Sequence, residues 1–179
     1  LYSEMLEWLT LQIKLHQNLV IKDPRINILL PVWCRLLDEL SVDLHIVFVN
    51  RYPDFVASSL EKRDGFSLHT GFALWLKYNW EALSALNNRS ATFVDFEELV
   101  SSVEEKKFLI ESLGKQYIQE EFSHIIDGEL VRNSKVLTEI TTDVVVMARS
   151  LHQFLQSKAR SSCVVEFAAI TASAMERVA

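Results

Sequence analysis

The chain has 179 residues, 49% of them apolar, with a net charge of −6 and a pI near 5.4. That length suits one domain with a substantial core, and four glycines and three prolines exclude disordered and collagen-like classes. The acidic balance argues against a nucleic-acid polymer as partner and leaves room for a local basic pocket that takes a small anion. Cys34 and Cys163 fit neither a metal spacing nor a disulfide framework, which agrees with a reducing, cytoplasmic compartment. No run reaches the roughly 18 apolar residues of a membrane helix. Leu1 falls inside a helical pattern, so upstream sequence is expected.

Taken in order, Tyr2 to about Gln17 is predicted as an amphipathic helix carrying Met5, Trp8, Leu9 and Ile13, with Ser3 as cap and His16 near the apolar face. Leu19–Ile21 reads as a short buried strand ending in the charged turn Lys22-Asp23-Pro24-Arg25. Those charges either face a ligand at a strand end, or Asp23 caps the next helix while Lys22 and Arg25 point to solvent. Ile26–Leu40 is helical in period, and Pro31 places its regular start near Leu30. His45–Val49 is a β-branched and aromatic run typical of a central parallel strand.

Arg51 follows that strand. Pro53 fits the first helical position, Asp54 complements the positive helix end, and Asp64-Gly65 ends the helix. Ser67 can cap a long helix over 68–87 bearing Phe72, Trp75, Leu76, Asn79, Leu83 and Leu86. Ala91–Asp95 is the next strand, and Phe96–Leu99 opens a helix. Three strand–helix alternations argue for an α/β domain with a parallel sheet covered by helices. Residues 104–126 are helical in pieces broken at Gly114, Asp127-Gly128 is a turn, and Glu129–Ser134 is a loop. A stripe from Leu137 through Ile140, Val144, Met147 and Leu151 to Phe154 predicts a helix. Ser157–Ser162 reads as a linker, and Val164–Val178 permits a last helix.

The chemistry concentrates at Arg51–Arg63. A helix that starts just after a buried strand offers unpaired N–H groups, and a guanidinium at that point matches a phosphate. Ser59 and Arg63, four apart, share one helix face, whereas Ser58 points about 100° away. The plainer alternative is Arg51 in a surface salt bridge and Arg63 paired with Glu61, Glu97 or Asp64.

The segment Arg51–Ser59 resembles the 3′-phosphate signature of sulfotransferases that use 3′-phosphoadenosine-5′-phosphosulfate (PAPS). Lys22-Asp23-Pro24-Arg25 is similar to the Lys-Asp-Pro turn of tyrosylprotein sulfotransferases and of bacterial sulfotransferase-like proteins. The Arg-x-Pro at Arg51, Val56-Ala57-x-Ser59-Leu60, Arg63-Asp64-Gly65 and Leu74-Trp75-Leu76 also resemble the bacterial group. Phe93–Leu99 is similar to the family's strand followed by Tyr-Glu-x-Leu. The resemblance covers about residues 18–100, with a weaker likeness around Ile125–Arg132.

It implies a P-loop-containing nucleoside triphosphate hydrolase-like fold over residues 1–179 as a single domain, with a helix-rich C-terminal part from about 136. It also implies PAPS or adenosine 3′,5′-bisphosphate as cofactor, and sulfuryl transfer to an acceptor hydroxyl of a glycan or related metabolite. By position, Arg51 and Ser59 would hold the 3′-phosphate with Arg63 in support. Lys22 would stabilise the leaving phosphate, with Asp23 orienting it or capping the next helix, and Arg132 would close over the nucleotide.

The sequence departs from the family in two places. No glycine precedes Gly65, so the 5′-phosphosulfate loop has no counterpart, and Phe96 replaces the Tyr and its hydroxyl. Glu4, Glu7 and His16 are unsupported candidates for a general base. A catalytically inactive, sulfotransferase-like binding domain is the alternative reading. A small kinase fits less well, because its glycine-rich loop with Lys-Ser/Thr is equally missing.

Overall fold

The computed structural model describes residues 1–16, 18–86, 89–114, 136–137 and 139–164. The chain forms two compact units, Leu1–Leu44 and the segment from His45 onward.

In the first unit, α1 (Tyr2–Leu15) and α2 (Ile26–Glu39) pack through Leu9, Leu36 and Leu37, with Met5, Ile13 and Trp33 around them. The apolar positions of α1 recur at helical spacing, which is why one face can be buried. The Tyr2 hydroxyl donates to Glu39 Oε2 at 2.9 Å, and the Arg35 guanidinium lies 5.1 Å from the Tyr2 ring centre. The start of α1 thus meets the end of α2, as in an antiparallel hairpin.

Several expectations are corrected in this unit. Leu1 occupies the N-cap and Ser3 lies inside α1 without capping it. His16 is exposed in extended backbone just past the helix. Leu19–Ile21 is not a strand: Val20 is 87% exposed, and of the three only Ile21 turns into the apolar cluster. A strand needs a partner ladder, and this run crosses between two helices instead. α2 starts at Ile26, so Pro31 sits within it and removes the donor that would reach the Asn27 carbonyl.

The second unit contains β1 (Ile46–Asn50), α3 (Pro53–Asp64), α4 (Leu68–Leu86), β2 (Ser90–Asp95), α5 (Phe96–Ser101), α6 (Val103–Ser112), α7 (Asp143–Ser157) and β3 (Ser161–Val164). The sheet order is β1-β2-β3. β1 and β2 run parallel, in register from Ile46↔Ala91 to Asn50↔Asp95, while β3 pairs antiparallel with β2. The fold is therefore helix-rich α/β with a small mixed sheet among the described residues, rather than a wholly parallel one.

β2 is buried on both faces. Phe93 meets Phe48 on one, with ring centres 5.4 Å apart, and Val94 joins Leu99 and Leu109 from α5 and α6 on the other. Ser161 and Ser162, expected in a linker, and Val164, expected to open the last helix, belong instead to β3. Arg160 adopts a left-handed φ of 57°, its N–H donates to the Phe93 carbonyl at 3.1 Å, and the chain turns back along β2. Its polar Ser-Ser-Cys composition conceals the strand because Ser162 finds a partner in Thr92, 2.7 Å away.

Local signals set most boundaries. Pro53 opens α3, and Gly65, at φ 71°, closes it with its N–H on the Glu61 carbonyl. The Ser67 hydroxyl accepts the Thr70 N–H, Asp95 caps α5 through Glu98 N–H, and Ser102 caps α6 through Glu105 N–H. Gly114 has φ 78°, in keeping with the expected break. α7 begins only at Asp143 and buries Val145, Ala148, Leu151, His152 and Leu155. The line Val144–Met147 lies beside that face, because the helix carries two adjacent apolar rows.

Arg132, the turn and loop expected over 127–134, and the last helix expected beyond Val164 lie outside the described residues. No helix among the described residues is long and apolar enough to cross a membrane.

α3 and α4 approach closely at Gly71, where an added Cβ would lie 2.7 Å from the Ala57 Cα and 2.9 Å from its Cβ. Backbone cannot yield as a flexible side chain does, so Gly71→Ala must push the helices apart. We expect a loss of about 1–3 kcal/mol in urea unfolding. An unchanged midpoint would contradict this close packing.

Candidate anion site at the end of the first strand

The parallel register brings Asn50 beside Asp95, so the residues after both strands emerge together. Arg51 and Tyr52 follow β1, and Phe96 and Glu97 follow β2. Arg51 is fixed at three points. Its carbonyl accepts the Trp75 indole N–H at 2.9 Å, its guanidinium lies 4.8 Å from the Phe96 ring centre, and its Nε donates to Glu97 Oε1 at 3.4 Å. Glu97 Oε2 also accepts the Tyr52 N–H at 3.2 Å. One carboxylate therefore spans a guanidinium and a backbone donor next to the start of α3.

Burial pushes the Glu97 carboxyl above its usual range. Asp95 adds to this, while the Tyr52 N–H and Arg51 pull the other way. The single 3.4 Å contact to Arg51 is too long to offset the lost hydration.

The other sequence-predicted site residues are placed as follows. Ser59 lies on α3 and is half-buried, while Ser58 is buried, so Ser59 is the more accessible hydroxyl. Arg63 is on the same helix, exposed in its last turn, where Nη2 meets Asp64 Oδ2 at 2.7 Å. Lys22 belongs to the first unit and is exposed in the segment before α2. Asp23 neither caps α2 with its side chain nor pairs with Lys22. It accepts the Arg25 N–H at 2.8 Å and binds the Arg25 guanidinium, which holds its carboxyl down at about 2.

Three features behind the site escaped the sequence reading. Asp54 is fully buried rather than simply facing the helix end, and Arg149 grips it at 2.6 and 3.2 Å. The Leu137 N–H completes that carboxylate, and Arg149 also donates to the Leu137 carbonyl. Next to this clamp, Asn50 Nδ2 lies 2.8 Å from His152 Nδ1, and the Tyr52 ring meets the imidazole edge-on with centres 4.8 Å apart. Asn50 Oδ1 is buried without a hydrogen-bond partner. Behind β2, the buried Glu105 holds Arg160 Nε at 2.6 Å. His152 was findable in principle, since it adjoins Leu151 on a helical stripe, but its partner Asn50 is 102 positions away.

Comparison with protein-family models, curated proteins and solved structures finds no match to this chain.

Two predictions come from the buried groups. Arg149→Leu leaves the Asp54 carboxylate without its counter-ion, and urea unfolding should show a loss of about 3–5 kcal/mol. A loss under about 1 kcal/mol would mean that the pair is not formed in solution. Burial lowers the His152 pKa from 6.5, with Asp95 and Asp54 opposing. The unfolded chain therefore takes up this proton first as pH falls. The stability it contributes is complete above about 6.5 and is lost as pH drops through the lower folded value. The stability of His152→Gln should fall less steeply than that of the wild type between about pH 7 and pH 5. Parallel slopes would remove His152 as the titrating group.

Proposed function

We propose that the unit from His45 onward is part of a PAPS-dependent sulfotransferase with a P-loop-type fold. In this reading the β1–α3 turn holds the nucleotide 3′-phosphate. One observation carries it. Two short motifs that resemble the family separately, Arg-x-Pro after β1 and Phe-Glu-Glu-Leu after β2, meet at one sheet edge, with Arg51 over Phe96 and against Glu97. Ligands of α/β sheets bind at the carboxyl ends of parallel strands, which is where this junction lies.

In the proposed reaction an acceptor hydroxyl, of a glycan or related metabolite, attacks sulfur in line and adenosine 3′,5′-bisphosphate leaves. Arg51 contributes a fork for the 3′-phosphate and Ser59 an accessible hydroxyl. Arg63 supports the same group once it exchanges its exposed partner Asp64. The resemblance alone gives Lys22, which belongs to the first unit, the role of neutralising charge on a leaving phosphate. The resemblance alone makes Arg132, which lies outside the described residues, a further candidate nucleotide contact.

A second reading, an inactive binding domain, is favoured by one feature: Arg51 and Arg63 each already hold a carboxylate.

Calorimetric titration with adenosine 3′,5′-bisphosphate tests both. Binding is expected, weakened about tenfold or more by Arg51→Ala and by a smaller factor by Ser59→Ala. Lys22→Ala should slow sulfate transfer while leaving this affinity unchanged. No binding by the folded wild type rejects the nucleotide site. Binding without transfer from PAPS to any of a panel of hydroxyl acceptors favours the second reading.

A further inference from the structure

The arginine–carboxylate contacts that link elements of the second unit are unequal, and the surface one between Arg160 and Glu98 is as long as 3.5 Å. Asp54–Arg149 and Glu105–Arg160 close at 2.6 Å on fully buried carboxylates. Arg51–Glu97 is longer, at 3.4 Å, and both its side chains remain about a quarter exposed. Glu97 reaches the Tyr52 N–H at 3.2 Å, again near the long end of hydrogen-bond range. Its carboxylate thus occupies the two donors that a phosphate would use, and holds both loosely.

We propose that Glu97 is a displaceable latch: its carboxylate stands in for a phosphate against Arg51 and the Tyr52 N–H, and a phosphomonoester enters by replacing it. This rests on the nucleotide reading above and adds a control to the same site. The exchange requires little of the backbone. Glu97 is the second residue of α5, so a change of side-chain rotamer removes it from the site. Arg51 stays in place meanwhile, because Trp75 holds its carbonyl and Phe96 lies against its guanidinium. A phosphate dianion brings more charge and three acceptor oxygens to the same donors, whereas a carboxylate or a singly charged diester gains no such advantage over Glu97.

The latch is read by titrating wild type, Glu97→Gln and Glu97→Ala with adenosine 3′,5′-bisphosphate, with far-UV circular dichroism as a check on folding. A mostly closed latch reduces apparent affinity by the fraction of molecules that are open, so Glu97→Gln should bind about fivefold more tightly or better. Gln still accepts the Tyr52 N–H, and Glu97→Ala removes both contacts. Equal or weaker binding by the folded variants, with the wild type binding, overturns the latch and leaves the nucleotide reading intact. No binding by any of the three removes both. In the wild type, the carbon resonance of the Glu97 carboxyl must also move on saturation with nucleotide. An unmoved signal at saturation overturns the displacement whatever the variants do.

Discussion

Because β1 and β2 pair in parallel and in register through Asn50↔Asp95, the chain leaves both strands at the same sheet edge. An antiparallel pairing would send Arg51 and Glu97 to opposite ends, and a shifted register would offset them along the strands. Parallel pairing requires a long crossover, and α3 and α4 supply it. Their close contact at Gly71 and Ala57 keeps that crossover tight, and α4 thereby carries Trp75 to the Arg51 carbonyl. Sheet register, helix packing and the position of one guanidinium are thus links of one chain of cause.

The buried ion pairs hold the later part of the unit to this frame. Arg149 on α7 reaches Asp54 in the first turn of α3, and Arg160, just before β3, reaches Glu105 on α6. Burying such charges is expensive, and the return comes only when geometry is good and the remaining lone pairs are satisfied. Asp54 meets both conditions, with Arg149 and the Leu137 N–H. Glu105 comes close: Oε2 takes the 2.6 Å contact from Arg160, and Oε1 accepts the Asp95 N–H at 3.4 Å. Their value lies in register: each fixes where a distant segment docks, which apolar contacts alone specify loosely.

The sequence was legible where the chemistry is local. Pro53, Gly65 and Ser67 mark their turns and caps through their own backbone preferences, and β1 and β2 show as β-branched, aromatic runs. It misled where the partner is remote. Leu19–Ile21 has strand composition but no strand beside it. Ser161-Ser162 has linker composition but lies against β2, which supplies Thr92 to Ser162. Arg51 was legible by its position at a strand exit, and not by its environment. Glu97 lies 46 residues from Arg51, and spacing alone left Arg51 in an unspecified salt bridge and named Glu97 only as one possible partner of Arg63. Asp54 read as a helix-end charge because nothing within α3 announces Arg149, 95 residues away.

The environment explains how Arg51 can be both held and available. A guanidinium free in solvent would lose rotamer entropy on meeting an anion, and a deeply paired one would have to break a strong contact. Arg51 avoids both extremes. Its main chain is anchored by Trp75 and its plane rests on Phe96, so much of the ordering is already done before any anion arrives. Phe96 offers Arg51 an aromatic face, and the face is what contacts the cation. The contact to be exchanged is one long Nε bond to a carboxylate whose charge is already disfavoured by burial. A fixed donor with a weak resident partner is a better receptor for a strong anion than either a mobile donor or a tightly closed pair.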